Sequence, residues 1–498
     1  MRLTAVALAC LAELAVAVVA GAAPAYRPIP TALHVHSTWS SGTLSLEDLA
    51  GLASTRGIEV ILLADNHLQS FEYGLPPLRG LLRYRVRFPS VVSNGPEAFL
   101  KAVESANARR RDVLILPGVE VLPHYFWTGS LFDGSLTMHD GQKNILALGL
   151  GRPEDYWGLP TVGNTAAAPW NPWLLSPVLL AIPGVGLLRS RRRRVVHLRH
   201  FQVVERRRRI VPGVLCLLAG ALLLANNYPF RHTIVSAYDA EAGLKPHQDV
   251  IDFVAARRGV TVWSLPEARD HQVVSVAGLR ATLHTEPYPA DLLRTDRFTA
   301  FAGLYEDTTT FTEPGHGWDQ LLVEYLHGRR AAPAWAVGEA AFHYEGQAGK
   351  RLGDVQTVVL ATGKHPAGIM EALRSGRIYC RLRTDDENLS LARFHVLSPQ
   401  AEPAEAGDRL VLRSGDRPDV HAVIESATGR RLTVDVRLIR SGSVVQTLRG
   451  ETPVTVRWTE PPLVSSARLY YRLEARGPVG LRLLSNPIFV QASQERTQ

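Results

Sequence analysis

Apolar positions recur along this chain with two different periods, and the change from one to the other divides it. Residues 31–67, TALHVHSTWSSGTLSLEDLAGLASTRGIEVILLADNH, open on a short apolar run and pass through a polar turn. Apolar residues then fall at helical spacing over 46–54, with Ser45 at the N-cap position, Asp48 three residues on, and Gly57 as the stop. The buried-strand run 58–63 follows and ends in Ala64-Asp65-Asn66-His67. Strand, helix and strand in this order predict a βαβ unit, and in parallel α/β architectures active sites collect at C-terminal strand ends. From residue 386 to 498 the helical period disappears. Short β-rich runs at 410–412, 421–424, 432–439, 444–448, 454–458, 467–474 and 488–490 are separated by Gly, Pro, Ser and Asp, which predicts an antiparallel β-sandwich.

Two continuous apolar stretches interrupt the α/β pattern, one over 170–188 and one over 210–225. Between them lies RSRRRRVVHLRHFQVVERRRR (189–209), whose ten arginines and one glutamate sum to +9. The whole chain carries +8, so everything outside this loop sums to about −1. The basic character therefore belongs to one segment. Lacking a folded scaffold and interleaved aromatics, that segment gives no reason to expect a nucleic-acid partner. Short cytoplasmic loops concentrate arginine, and Trp170, Trp173, Tyr228 and Phe230 suit the two interfaces, so 170–230 is expected to be a transmembrane helical hairpin. Its arginine loop would meet anionic headgroups. Pro172, Pro177 and Pro183 and the short second stretch leave an interfacial hairpin as the alternative. The opening MRLTAVALACLAELAVAVVAGAAPAY reads as a signal peptide over 1–25 or as an uncleaved anchor. Either places the folded parts on the extracytoplasmic side of the cell membrane. With Cys10 in the leader and Cys216 in an apolar stretch, only Cys380 remains in the soluble part, so no disulfide framework is expected there.

The chemistry concentrates at strand ends. In a strand, His34 and His36 leave the same face, and two converging imidazoles are the seed of a site for zinc, manganese or iron. His124, His139, His271 and His365, with Glu267 and Glu339, carry less weight, since isolated histidines and strand-end carboxylates are commonly hydrogen-bonded or solvated. No nucleophile–base–acid order suggests a serine or cysteine hydrolase, and no Gly-rich phosphate loop occurs.

The His-x-His opening and the strand ending in Asp65 resemble the PHP (polymerase and histidinol phosphatase) family, in its exported branch with a C-terminal β domain. Further matches are PGVEV (117–121), WSLPEA (263–268), FAGLYEDT (301–308), GWDQLLVEYLHGRR (317–330), AVGEAAFH (336–343) and EALRSGRIY (371–379), in family order over roughly residues 30 to 385. The resemblance implies a distorted, TIM-like β/α barrel that binds up to three metal ions and hydrolyses phosphoesters. The barrel would occupy 26–169 and 231–385, split by the 170–230 hairpin and followed by the 386–498 sandwich. His34, His36, Asp65, Glu120 and His343 stand at positions where the family has metal-site residues. Ser41, Asn66 (with His67 one place late), Asn144, Leu265 and Ala341 replace other expected ligands, and Leu265 and Ala341 cannot coordinate a metal. The resemblance thus implies one divalent ion, Mn, Fe or Zn, held by His34, His36, Glu120 and His343, with Asp65 or His67 assisting. A water molecule activated by that ion would attack a small phosphoester substrate. The competing expectation is a catalytically inactive barrel without metal, serving as a binding or scaffold module.

Overall fold

The computed structural model describes residues 26–493 except 199–200, 232–233, 277–278, 306–308, 385–386 and 399–400. The expected signal peptide or anchor over 1–25 lies outside the described residues. Strand β1 (Arg27–Val35) pairs in parallel with β2 (Val60–Leu63), and the helix Leu46–Thr55 connects them. That helix starts where expected because the Asp48 amide donates to Ser45 Oγ at 3.1 Å. It buries Leu46, Leu49, Ala50 and Ala53 on one face.

Beyond β2 the chain changes sheets. Ala64 separates β2 from β3 (Asp65–Asn66), and Pro117 separates β6 (Leu114–Leu116) from β7 (Gly118–Val121). β2 pairs with β6 in the first sheet, while β3 pairs with β7 in the second. Between them, β4 (Ser70–Gly74) and β5 (Arg83–Arg87) form a separate hairpin. The second sheet continues through β10 (Ile145–Leu148), β13 (Val260–Trp263), β16 (Ala300–Leu304) and β17 (Trp335–Gly338). After β17 the chain returns to β1. The amides of Ala340 and Phe342 donate to the carbonyls of Leu33 and His34, and the His36 amide donates to the Phe342 carbonyl, at 2.9–3.1 Å. Both borders of the second sheet are thereby tied to the first. The arrangement is a mixed α/β fold and departs from the regular TIM pattern, because β10 runs antiparallel to both β7 and β13. The β7–β10 connection contains β8 (Phe126–Thr128) and β9 (Thr137–His139) and no crossover helix, so β10 returns antiparallel.

The 170–230 insertion forms a 3₁₀ segment (Pro172–Leu180, with Pro177 inside), a helix (Ala181–Arg189) and a long helix (Ile210–Asn227). Close approach is set by small residues: a Cβ on Gly213 would lie 2.9 Å from the Gly184 carbonyl oxygen. The arginine-rich segment, expected to be a plain loop, is instead a hairpin of β11 (Arg191–Leu198) and β12 (Phe201–Arg208). Val195 and Val196 stand opposite Val204 and Val203, and these β-branched pairs supply the strand preference that a reading by charge overlooks.

After β17 come β18 (Val355–Ala361), antiparallel to β1, and β19 (Ile378–Leu382). The C-terminal part contains a four-stranded antiparallel sheet (Leu389–Ser398, Ala401–Glu405, Asp419–Ser426, Val454–Thr459), whose apolar face shares a core with Val434, Val436, Leu438 and Leu473. The expectation of a wholly antiparallel sandwich needs correction in two respects. Strand Arg409–Leu412 pairs in parallel with Ile488–Ala492, and Arg482–Ser485 pairs with β19, so one sheet runs across the expected boundary at 385.

A buried ion pair fastens the same junction. Arg472, fully buried, donates from Nε and Nη2 to the two carboxylate oxygens of Asp319 at 2.8 and 2.7 Å, and Asp319 also accepts from the Tyr470 hydroxyl at 2.6 Å. Removing one member leaves a buried charge unpaired, which costs about 3–5 kcal/mol. Arg472→Met should therefore markedly lower the denaturation midpoint of the full chain. Arg431→Met, at the exposed pair with Glu451, should change stability by no more than about 0.5 kcal/mol. Equal effects of the two substitutions would contradict this account of the junction.

Candidate metal centre

The centre is assembled where β1, β7 and the segment after β17 converge. His34 adopts a left-handed backbone (φ 68°), and the β1–β2 register shifts between Leu33 and Val35. This bulge, and not simple alternation along a flat strand, aims the two rings. His34 Nε2 and His36 Nε2 lie 3.0 Å apart. Glu120, on β7, places Oε1 3.5 Å from His34 Nε2 and Oε2 3.6 Å from His36 Nε2. One donor atom from each of the three residues falls within 4.8 Å of the others.

Further groups fix the outer nitrogens. His34 Nδ1–H donates to Glu339 Oε1, which also accepts from the Ser264 hydroxyl, while the Tyr288 hydroxyl donates to the Ser264 carbonyl. A carboxylate on Nδ1 presents Nε2 to the centre, the usual arrangement behind a metal-bound histidine. His36 Nδ1 lies 3.3 Å from Ser40 Oγ, and Ser40 in turn donates to Asp65 at 2.6 Å, so Ser40 accepts from His36 and again leaves Nε2 inward. The Oε2 atom of Glu339 is buried without a hydrogen-bond partner.

Electrostatics follow from this geometry. Burial opposes protonation of His34, but Glu120 and Glu339 override it and raise its pKa to about 10. His36 is pushed well below the usual histidine range, first by burial. Burial tends to raise Glu120, yet the surrounding imidazoles, His34 foremost, hold it down at about 2. Without a metal, a proton on His34 is stabilised by the carboxyl groups of Glu120 and Glu339 on its two sides. The donor set fits a divalent ion: two imidazole nitrogens and a carboxylate oxygen suit zinc, manganese or iron, and two nitrogens 3.0 Å apart can both reach a cation at about 2.1 Å.

The remaining expected residues are distributed around this triad. His343 lies beside it, its ring stacked on His36 with centroids 4.0 Å apart, and its Nδ1 receives the Ser41 hydroxyl at 2.8 Å. Ser41 also accepts from Asn66 Nδ2 at 3.1 Å, and Asn144 Nδ2 donates to Glu120 at 2.7 Å. These replacements thus form hydrogen bonds around the triad. Asp65 accepts from the Ser37 amide, the Ser37 hydroxyl and Ser40, so it braces the histidine turn. His67 is turned away: Nε2 bonds to the Tyr156 carbonyl at 2.7 Å, and burial lowers its pKa to about 4. The expected one-residue slip does not bring it to the triad, because that bond fixes it in the interior. Leu265 and Ala341 supply no donor, yet both keep positive φ (41° and 45°), a backbone shape that costs on the order of 1 kcal/mol or more outside glycine.

The residues given little weight have local partners: His124 with the Ser236 carbonyl, His139 with Thr128, His271 with His284, His365 as a helix cap, and Glu267 with the Thr310 and Phe311 amides. Glu339 is the exception. It was expected to be solvated but is buried at the centre. Its signal lay in AVGEAAFH, an acid directly after a short apolar run, as in PGVEV.

No family model and no curated protein matches this chain. Among solved structures it is similar to a two-domain protein containing a predicted PHP-like metal-dependent phosphoesterase from Bacteroides vulgatus, at 10% identity, TM-score 0.34 and 90% coverage of each chain. It is also similar to a candidate metal-dependent phosphoesterase from Bifidobacterium adolescentis, at 13% identity and TM-score 0.29, over 65% of this chain and 91% of the other. A fibronectin(III)-like module protein of Clostridium thermocellum matches over 20% of this chain and 99% of its own, at 14% identity and TM-score 0.14.

Since an ion at Nε2 must displace the His34 proton, metal uptake at pH 7 should release close to one proton per ion. Apparent affinity should rise nearly tenfold per pH unit through neutral pH and level off as pH approaches 10. Calorimetry in buffers of different ionisation enthalpy measures the proton count. A count of zero would contradict this arrangement.

Proposed function

We propose that this chain is a membrane-anchored, PHP-like metal-dependent phosphoesterase acting outside the cytoplasm through a single-ion site. The observation that carries the reading is the convergence of His34, His36 and Glu120 on one point, with Glu339 and the Asp65–Ser40 pair fixing both imidazole tautomers. The joined sheets are read as a distorted barrel with this triad at its mouth. In the proposal His34, His36 and Glu120 hold a divalent ion, and His343, half-buried beside His36, is the fourth ligand. Such an ion supplies Lewis acidity toward a phosphoryl oxygen and acidifies water. The protein's own part is to orient the donors, to hold Glu120 ionised, and to keep the bases of both histidine rings dry.

The membrane part of the reading rests on the insertion. Pro172–Arg189 and Ile210–Asn227 are each 18 residues long, with mean hydropathy 1.4 and 1.9, and both are largely unburied by the rest of the chain. Ile182 and Val211 are 71% and 70% exposed, a state that suits hydrocarbon better than water. The +9 segment between the helices sets the orientation, cytoplasmic by the positive-inside rule, and would contact anionic headgroups. Leu265 and Ala341 support a second reading, a binding module without turnover, and the activity test separates the two.

Hydrolysis of bis-p-nitrophenyl phosphate or p-nitrophenyl phosphate by the full chain, supplied with Mn, Fe or Zn, should fall at least about 100-fold in His36→Ala. Equal rates for wild type and variant, or none in either, would favour the inactive module. A reporter fused after Arg199 should behave as cytoplasmic and one fused after Ser493 as exported. An exported signal at Arg199 would overturn the topology.

A further inference from the structure

A cavity of about 690 Å³ lies between two of the smaller sheets. Its walls are β4 and β5 on one side, and on the other the sheet containing β14 (Asp270–Val276), β15 (Leu279–Thr285), β9 and β8. Strand alternation builds the first wall: Phe71, Tyr73, Tyr84 and Val86 line the cavity, while Glu72 and Arg85, their neighbours in sequence, pair with each other. Met138 and Leu283 line the opposite side. Facing sheets normally interdigitate and leave few voids larger than a water molecule. A gap of this size between two apolar faces has the dimensions of a ligand pocket.

Two features say what it holds. At one end, Gln69 and Gln142 line the cavity, three and two residues along the chain from Asn66 and Asn144, whose amides bond to Ser41 and Glu120 at the centre. At the other end, the tip of the β4–β5 hairpin rests on the insertion. The Gly80 amide donates to Asn226 Oδ1 at 2.7 Å, at the end of the Ile210–Asn227 helix, and a Cβ on Gly80 would overlap the Asn226 carbonyl oxygen. Leu81 and Leu82, next in sequence, line the cavity and are 40% and 54% exposed. The cavity is thus bounded at one end by residues close in sequence to Asn66 and Asn144, and at the other by the hairpin loop that contacts the insertion.

We infer that this cavity takes the hydrocarbon chain of a membrane phospholipid, whose phosphoester headgroup is presented to the triad. The inference rests on the phosphoesterase reading and on membrane placement of the insertion. It makes the substrate an amphiphile drawn from the bilayer, with each methylene that enters the cavity tightening binding about fourfold.

The test uses the full chain in phosphatidylcholine vesicles that contain a phosphatidylglycerol with a diazirine in mid-acyl chain. After illumination, label should appear on peptides covering 69–88 and 127–142 as well as on the two insertion helices. Ala281→Trp, which fills the cavity from β15, should reduce the label on 69–88 several-fold while leaving label on the helices and metal content at wild-type values. Label confined to 172–189 and 210–227, or label on 69–88 that Ala281→Trp does not change, would overturn the inference. Labelling needs no turnover. A labelled cavity in a chain that hydrolyses nothing would refute the phosphoesterase reading alone, and an unlabelled cavity in an active chain would refute this inference alone.

Discussion

The placement of His34 between two acids, Glu120 and Glu339, is the constraint on which the rest of the site depends. Glu120 comes from β7, next to the kinks where the chain passes from the first sheet to the second. Glu339 follows β17, where the chain returns to β1. One imidazole thus meets a carboxylate from β7, next to one border strand of the second sheet, and one from just beyond β17 at the other border. Glu339 is fully buried and Glu120 mostly so, and a positive charge between them, a proton on His34 or a metal ion, offsets the cost of removing carboxylates from water. Ser264 donates to Glu339 and Asn144 to Glu120, which adds to that stabilisation.

Local signals in the sequence were legible because local physics decides them. The Ser45 cap, the apolar spacing of its helix and the run into β2 lie within a few residues of one another, and each appears close to its expected position. Convergence of His34, His36 and Glu120 could also be expected. The reason for it could not, since the bulge at His34 depends on register with β2 and on the return of Phe342. Burial of Glu339 required knowing that β17 folds back beside β1, 305 residues from His34. The same holds for the pairing of β19 with Arg482–Ser485, which a domain boundary drawn from composition at 385 does not reveal. In the arginine-rich hairpin, charge masked four valines whose β preference was plain in the sequence.

The surroundings of this centre are polar. Ser41, Asn66 and Asn144 stand at expected ligand positions and now bond to His343, Ser41 and Glu120. Leu265 and Ala341 supply no donor and adopt left-handed backbone. The insertion also touches the rest of the chain: Asn226, at the end of its second helix, accepts from the Gly80 amide in the β4–β5 hairpin, and that hairpin walls an apolar cavity.

The central claim is that His34, His36 and Glu120 bind one divalent ion. X-ray absorption spectroscopy on the full chain, purified without chelator and supplied in turn with Mn, Fe and Zn, tests it most directly. The account predicts one ion per chain whose scattering shell contains the rings of His34 and His36, with His343 as the third, and a loss of histidine scattering in His36→Ala. A chain that binds no ion, or an ion whose spectrum is unchanged by His36→Ala, would contradict it.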